Sequence, residues 1–441
     1  MNSRTQNSDA LEMVVYGFLS IGQRLASVGS EAGSWVWLFL TTQPLLDLTW
    51  RWHFFKISEQ EVNIQTVAGL LLLVVNLAIG LWGSWRMPII GSKVCLFLAF
   101  ASFSALFTFT SWGTNEVIRL LTGLSFFFTS TYVFRDESGF LRFSRWFLAS
   151  LSIPILISYL ELMGIVPYEY HDWIDGAEVG RVTGGYEHPL TLVYFLVYGI
   201  PCALVLLFSV NRVRSQRTLA LIFLLAAFGS IIFSMHRVGL LVAVAEVLLW
   251  FILTGRKRMV AAVSGAVICA AMIFVTWIQN LYAPLVDSFG LVDPTTSQFF
   301  RGRGLNWFLF LNSLFSSHPI YWIVGKGGSV PSGWETLFND LSPNEPHSDL
   351  IRLLHAYGFV GLVLYLSILA AFLKVAVSIR RSKSQFCMML GTLLHLALFG
   401  ILALSFTSEP SRYPSAISYL FLFGAAACMC VSEKATENGA S

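Results

Sequence analysis

The sequence predicts an all-α, polytopic membrane protein with about twelve transmembrane helices and one long extracytoplasmic loop. Three observations lead to this prediction. The 441 residues are 56% hydrophobic and only 12% charged, with a mean hydropathy of +0.68, which is too apolar for a soluble chain of this length. Twelve apolar runs each reach the length, about 17–25 residues, that is needed to cross a bilayer. Basic clusters recur in the short loops at intervals of two runs.

The twelve runs follow one another closely, apart from one gap. They lie at 33–50, 64–82, 89–110, 114–134, 146–164, 189–210, 218–234, 237–254, 259–277, 348–379, 386–405 and 412–431. A further semi-apolar stretch, 11–29, either lies along the membrane interface or extends the first span. The chain therefore divides into an N-terminal segment (1–32), nine spans (33–277), a long loop (278–346), three spans (347–431) and a tail (432–441).

The distribution of basic residues predicts the orientation. The loops NRVRSQR (211–217), GRKR (255–258) and RRSK (380–383) lie two spans apart, which assigns them to the cytoplasm. Sixteen of the 28 Lys and Arg residues then lie on that side, and both termini are cytoplasmic. The opposite face carries eight of these cations and six of the eight histidines. Since these cations do not set the topology, we expect them to serve a functional site on the extracytoplasmic face.

Several kinds of chemistry lack their sequence signatures. The six cysteines lie in apolar runs without a CxxC pair, so they are expected to pack as small hydrophobic residues. There is no HExxH, GxSxG or CxxCH motif. DWID does not have the spacing of an acidic pair that holds a metal-bound sugar nucleotide. We therefore expect no metal, no cofactor and no nucleic acid partner.

The segment RVTGGYEHP places Arg181 and His188 before a span that Pro189 can begin. An arginine close to a helix N-terminus is suited to bind an anion. The alternative is that Arg181 reaches lipid phosphates and that His188 caps the helix.

The segment SMHRVGLL is a short hairpin between two spans, with His236 and Arg237 at its tip. An arginine at such a depth needs an anion, an acid or a water-filled cavity. The alternative is a salt bridge, for which Glu246 is a poor partner because it lies deeper in the same helix.

The long loop contains RGRGLNWFLFLNSLF, which begins with Arg301 and Arg303. Guanidinium groups suit the bidentate recognition of phosphate or diphosphate. The aromatic part predicts a short amphipathic or re-entrant helix. The GKGG run that follows is not a Walker A loop, because it lacks the spacing and the Ser or Thr after Lys326.

The loop returns to the membrane in EPHSDLIRLLHAYGFVGLVLYL. On a helix, Ser348, Arg352 and His355 share one side, and Asp349 is spaced to pair with Arg352. His347 precedes the helix, where an imidazole can relay a proton or polarise a hydroxyl. The alternative is that His347 and Asp349 occupy first-turn positions favoured by capping and by the helix dipole.

In their order along the chain, these segments resemble the bacterial O-antigen ligase and O-antigen polymerase family. RVTGGYEHP is similar to the family's R-x-(S/T)-G…HP segment, HRVGLL to its SR turn, and GRGLNW to its G-R-x-x-x-W motif. The end of the long loop is similar to the family's H-N-x-x-L…G-x-x-G segment. Two positions depart from the pattern: Ser348 replaces the usual Asn, and MHR replaces SR. The resemblance covers residues 181–366.

The resemblance implies a membrane glycosyltransferase with a GT-C-like fold in the bacterial inner membrane and an active site on the periplasmic face. It would transfer a glycan from an undecaprenyl diphosphate-linked oligosaccharide to the hydroxyl of a glycan or lipid-linked acceptor, in cell-surface polysaccharide biosynthesis. A polymerase uses a second lipid-linked repeat unit as acceptor, and a ligase uses lipid A core. The polymerase is slightly favoured.

The resemblance also implies roles for individual residues. His347 would activate the acceptor hydroxyl, and Arg303 would stabilise the leaving diphosphate, where no metal is available. The substrate-binding residues would be Arg181, His188, Arg237, Arg301, Trp307 and Arg352. Trp307 would stack on a sugar, although interfacial aromatic residues also serve as bilayer anchors.

Two other hypotheses remain. A secondary transporter or lipid-linked glycan flippase would use the same charges for translocation, and it predicts broken spans in repeated halves with charges near the bilayer middle. Here the charges cluster at one face, and only the second half has a long loop. A structural partner of such an enzyme would leave the arginines replaceable.

Overall fold

The computed structural model describes 37–49, 53–57, 60–63, most of 67–76, 90–108, 111–133, 137–174, 177–208, 214–273, 303–327, 346–382 and 384–439. The predicted N-terminal segment, 1–32, and much of the long loop, including Arg301, lie outside these residues.

The described residues are mainly helical. The helices are α1 (Gly91–Thr108), α2 (Ser111–Val133), α3 (Glu137–Leu162), α4 (Pro189–Phe208), α5 (Arg214–Phe233), α6 (Arg237–Leu253), α7 (Lys257–Ile273), α8 (Arg303–Phe315), α9 (Pro319–Val324), α10 (Asp349–Arg380), α11 (Gln385–Ser405) and α12 (Pro414–Gly439). Helical residues also occupy 37–46 and the described part of 67–76. Every predicted apolar run therefore contains helix, and NWFLFLNSLF lies in α8 as predicted.

Six of the described helices are long and apolar enough to cross a membrane: α1, α3, α4, α5, α10 and α11. Shorter apolar stretches lie in α2 (Val117–Phe128) and α12 (Ala416–Val431). The chain is thus a helical, polytopic membrane protein by length and composition. The total of twelve spans stays a prediction.

The described part of the structure also contains two β-hairpins, which the all-α prediction does not include. β1 (His53–Ile57) pairs with β2 (Gln60–Asn63), and β3 (Tyr170–Ile174) pairs with β4 (Ala177–Arg181), both antiparallel. The second hairpin sets Tyr170 opposite Arg181. Both hairpins lie in connections between helical stretches, where hydropathy gives no indication of strand pairing.

The helix α4 occupies the interior of the bundle. Every residue from Leu192 to Leu206 is buried, as expected of a helix that is apolar on all sides. It contacts α3, α5, α6, α11 and α12. Aromatic side chains fill the centre: the Tyr419 ring lies 4.7 Å from the Phe147 ring and 5.2 Å from the Tyr198 ring, between centroids.

The helix α10 is kinked at Gly358, which has φ +65° and ψ −171°. The carbonyls of His355 and Ala356, just before the kink, accept hydrogen bonds from the backbone N–H groups of Lys326 (2.8 Å) and Gly327 (3.0 Å). The Gly-Lys-Gly run therefore binds the backbone acceptors that an interrupted helix would leave unpaired. The kink of α10 and the end of α9 pack so closely that no side chain fits at Gly358. A Cβ on Gly358 would lie 2.2 Å from the Ile323 carbonyl oxygen.

We expect Gly358→Ala to destabilise the protein by at least ~2 kcal/mol, because it combines a left-handed backbone with a clash against backbone atoms. The measurement is the thermal unfolding midpoint of the purified protein in detergent. The matched control is Gly265→Ala in α7, where a Cβ would meet nothing within 4 Å. This control should be neutral or slightly stabilising. Equal midpoints for the two variants would contradict the close backbone packing at Gly358.

Candidate functional site

A buried carboxylate, that of Asp349, organises the first turn of α10. The side chain is 0% exposed. Its Oδ2 accepts from the Ser411 backbone N–H (2.8 Å) and its Oδ1 from the Ser411 hydroxyl (2.5 Å), while the Ser405 hydroxyl donates to Oδ2 at 3.3 Å. The Asp349 backbone N–H donates to the Ser408 carbonyl at 3.0 Å. Asp349 therefore joins the start of α10 to the turn between α11 and α12.

Arg352 lies one turn further along α10 and contacts two acids. Its Nη2 is 3.4 Å from Asp349 Oδ1, and its Nε is 3.8 Å from Glu409 Oε2. Nη2 also donates to the Ser411 hydroxyl. The side chain is only 10% exposed, so its charge needs these acids. The pairing of Asp349 with Arg352, predicted from their spacing, is confirmed.

His347 stands immediately before α10 in an unusual conformation. Its φ is +50°, which residues other than glycine rarely adopt and which costs roughly 1–3 kcal/mol. The backbone N–H of His347 donates to Glu409 Oε1 at 2.8 Å. One carboxylate, Glu409, therefore holds the His347 backbone and contacts Arg352. The half-buried His347 is fixed where the long loop meets the bundle.

The helix α8 packs against this part of α10. The Trp307 indole N–H donates to the Pro346 carbonyl at 2.7 Å, next to His347. Further along the two helices, the Phe310 and His355 rings meet edge to face with centroids 4.9 Å apart. Arg303 is the first residue of α8, about one turn before Trp307. Trp307 thus holds α8 to the end of the long loop, a contact that the predicted sugar-stacking role does not include.

We call His347, Asp349, Arg352, Glu409 and Ser411 the α10 cluster. A second group, the hairpin cluster, consists of Tyr170, Arg181, His188, Ser234 and His236.

In the hairpin cluster, Arg181 connects two segments that are distant in sequence. Its Nε donates to the Ser234 carbonyl at 3.0 Å, and its guanidinium carbon lies 5.6 Å from the Tyr170 ring centroid. Ser234 lies in the turn between α5 and α6, which also carries His236, and Arg237 is the first residue of α6. Sequence segments RVTGGYEHP and SMHRVGLL therefore meet in the structure.

Both histidines of the hairpin cluster cap helices. His236 Nδ1 accepts from the Gly239 backbone N–H at 2.9 Å at the start of α6. His188 Nδ1 accepts from the Leu190 backbone N–H at 3.0 Å at the start of α4, and its ring lies 4.7 Å from the Tyr170 ring. For His188 this is the capping contact that the sequence offered as an alternative to substrate binding.

The two clusters lie at the same end of α4. The Tyr194 ring lies 5.3 Å from the Tyr413 ring, between centroids, and Tyr413 follows the turn that holds Glu409 and Ser411. The first two turns of α4 therefore connect the α10 cluster to the segment that contains His188.

Two predicted residues are described only in part or not at all. Arg301 lies outside the described residues, and of Arg303 only the backbone position is described. The expectation that both join the other cations at this end of the bundle stays a prediction. Among the described residues, no three His, Cys, Asp or Glu side chains gather closely enough to hold a metal ion.

Sequence reasoning missed two buried acids, Glu161, which binds the loop after Arg181, and Glu409, which contacts Arg352. It also missed the serines that donate to Asp349, Ser405 and Ser411. Glu161 does carry a signal, because an acid inside the predicted span 146–164 requires a partner. Glu409 lies 62 residues from His347, so no local spacing indicates their contact.

Glu246 differs from the other buried acids. Its side chain is 0% exposed within α6, and neither carboxyl oxygen has a hydrogen-bond partner among the described residues. A Cβ on Gly400 would lie 2.7 Å from Glu246 Oε1, so the acid fills the space that this glycine leaves.

We expect Asp349→Ala to lower the free energy of unfolding by about 3–5 kcal/mol, because it leaves a buried guanidinium with one acid fewer. Ser418→Ala is the matched control, since among the described residues its buried hydroxyl bonds to the Pro414 carbonyl of its own helix. The control should change stability by no more than about 1 kcal/mol. The measurement is thermal unfolding in detergent, and an equal effect of both substitutions would contradict the central place of Asp349.

The comparisons with known proteins add no relative: no protein-family model matches the chain, and no curated protein matches it. The function is therefore proposed from the sequence motifs and from the contacts described above.

Proposed function

We propose that the protein is a membrane glycosyltransferase that takes a glycan from an undecaprenyl diphosphate-linked donor and joins it to an acceptor hydroxyl. The observation that carries this proposal is the convergence of the two motif segments: the cation-bearing hairpin cluster and the α10 cluster with His347 lie at one end of α4. The bridge between them is Tyr194 against Tyr413. The basic loops at the other ends of these helices support an extracytoplasmic site in a bacterial inner membrane.

The proposed reaction uses the donor's own leaving group. The acceptor oxygen attacks the anomeric carbon, the bond from that carbon to the diphosphate oxygen breaks, and undecaprenyl diphosphate departs with the electron pair. His347 takes the proton of the acceptor hydroxyl as general base. Arginine side chains stabilise the charge that grows on the diphosphate.

The arginines divide by their surroundings. Arg181 and Arg237 adjoin the turn before α6, and in the proposal they bind the diphosphate together with Arg303 and Arg301. Arg352 is held by Asp349 and Glu409, so its proposed contribution is chiefly to keep the His347 segment in place. A site whose parts are fixed before the substrate binds supplies orientation without further ordering.

The acceptor distinguishes two forms of the proposal. A second lipid-linked repeat unit makes the protein a polysaccharide or O-antigen polymerase, and lipid A core makes it an O-antigen ligase. We favour the polymerase, and the GT-C-like fold belongs to the same proposal.

A second candidate function is a secondary transporter or lipid-linked glycan flippase. Glu246 is the observation that favours it: the acid is buried in a membrane helix and its oxygens have no hydrogen-bond partner within the described part of the chain. Ionisable groups in membrane helices often mark translocation pathways. A transporter would form no glycosidic bond, so purified protein would give no transfer product from the donor and acceptor.

We expect His347→Ala to lower the turnover of purified protein on an undecaprenyl diphosphate-linked oligosaccharide by about 10²–10⁴-fold, through loss of the general base. Arg303→Ala should lower it by about 10²–10³-fold, through loss of charge stabilisation. Formation of the glycan product is the measurement. Arg258→Ala, an exposed cation on the predicted cytoplasmic side, is the control and should keep full turnover. The proposal fails if both site variants retain wild-type turnover.

Chelation tests the metal-free mechanism separately. Because arginines are proposed to take the place of a metal ion, wild-type turnover in excess EDTA should equal turnover without it. A loss in EDTA that added Mg²⁺ or Mn²⁺ restores would overturn this mechanism and leave the transferase proposal intact.

A further inference from the structure

A buried carboxylate, Glu161, lies at the end of α3 and contacts the loop that follows Arg181 of the hairpin cluster. It is 0% exposed and accepts four hydrogen bonds from one short loop. The donors are the Thr183 backbone N–H (2.8 Å), the Thr183 hydroxyl (2.9 Å), the Gly184 N–H (3.0 Å) and the Gly185 N–H (3.0 Å). Both oxygens of Glu161 are used, with two donors each.

The loop forms a concave backbone nest of the kind that binds anions. Gly184 and Gly185 have φ of +68° and +82°, and a Cβ on Gly184 would lie 2.7 Å from the Pro154 carbonyl oxygen. The double glycine is therefore needed to aim successive N–H groups at one point. The sequence suggested that this segment binds a ligand anion, but the nest holds the protein's own carboxylate.

The nest begins two residues after Arg181, the last residue of β4. On the other side of the nest, the Tyr186 hydroxyl donates to the Pro44 carbonyl at 2.9 Å. Burial, together with nearby Asp47, raises the pKa of Tyr186 well above its usual range, so the hydroxyl remains a donor. The backbone that follows Arg181 is thus fixed at Glu161 and again at Tyr186.

We infer that Glu161 is a positioning residue for Arg181, which it presents to the diphosphate of a lipid-linked donor by fixing the Thr183–Gly185 nest. This inference rests on the proposed function. Arg181 Nε donates to the Ser234 carbonyl at 3.0 Å. A displacement of the Arg181 backbone would therefore also alter its contact with the turn before α6. Glu161 does not touch the donor, and its effect is transmitted through Arg181.

Glu161→Gln is the decisive substitution. It retains the size of the side chain but replaces one acceptor oxygen with an NH₂ group. Because each oxygen of Glu161 accepts from two donors, either orientation of the amide places this NH₂ against groups that donate in the wild type. We expect the donor KM to rise about tenfold, the scale of one charge-assisted hydrogen bond, with acceptor KM and kcat changed less than about twofold. Glu161→Asp keeps both acceptor oxygens and should recover part of the loss.

Combination with Arg181→Ala separates positioning from general damage. If Glu161 acts through Arg181, Glu161→Gln should raise the donor KM of the Arg181→Ala variant by less than about twofold. The matched control is Ser158→Ala. Ser158 lies in α3, like Glu161, and its buried hydroxyl contacts the Ser230 hydroxyl of α5 at 2.6 Å. Loss of this contact should leave the donor KM unchanged. Independent, additive effects of the two substitutions would overturn the inference.

Hydrogen–deuterium exchange gives a readout that does not depend on catalysis. In Glu161→Gln, exchange should accelerate both in residues 181–188 and in the turn 234–237, and Ser158→Ala should not reproduce this pattern. Acceleration confined to 181–188, or none, would overturn the inference even if wild-type transfer is observed. Absence of transfer by the wild-type protein, with the exchange pattern as expected, would instead refute the proposed function alone.

Discussion

The pairing of Arg352 with buried acids is the constraint on which one end of the bundle depends. Removing a guanidinium from water costs several kcal/mol, and in this protein Asp349 and Glu409 offset that cost. The two acids lie on different segments, one in the first turn of α10 and the other between α11 and α12. Satisfying a single cation therefore fixes three helices relative to one another, and it fixes His347, whose backbone N–H donates to Glu409.

Two glycine-rich segments that resemble anion-binding loops serve the fold. In GKGG, the N–H groups of Lys326 and Gly327 donate to carbonyls beside the kink of α10. In TGG, the N–H groups of Gly184 and Gly185 donate to Glu161. Both follow from the rule that buried backbone donors and acceptors must be paired, which is stricter in a membrane protein. These N–H groups are already paired, so in the proposed function the donor diphosphate is bound by other groups, chiefly arginine side chains.

The sequence predicts what is local or repeated. The predicted spans 189–210 and 348–379 correspond to α4 and α10 because long apolar runs are a strong signal, and Asp349 pairs with Arg352 because three residues separate them on one helix. Strand pairing between Tyr170 and Arg181 lay beyond this reasoning, since short strands in a connection have no hydropathy signature. The contact of His347 with Glu409 joins segments 62 residues apart, and only tertiary packing brings them together.

The buried acids also bear on affinity. An arginine that is free in solution loses rotamer freedom when it binds a diphosphate, at a cost of about 0.5–1.5 kcal/mol per side chain. Arg181, whose Nε already donates to Ser234 and whose backbone continues into the nest around Glu161, has lost much of that freedom during folding. An acid that never meets the donor therefore strengthens its binding in the proposed function, because the ordering of the cation takes place before the donor arrives.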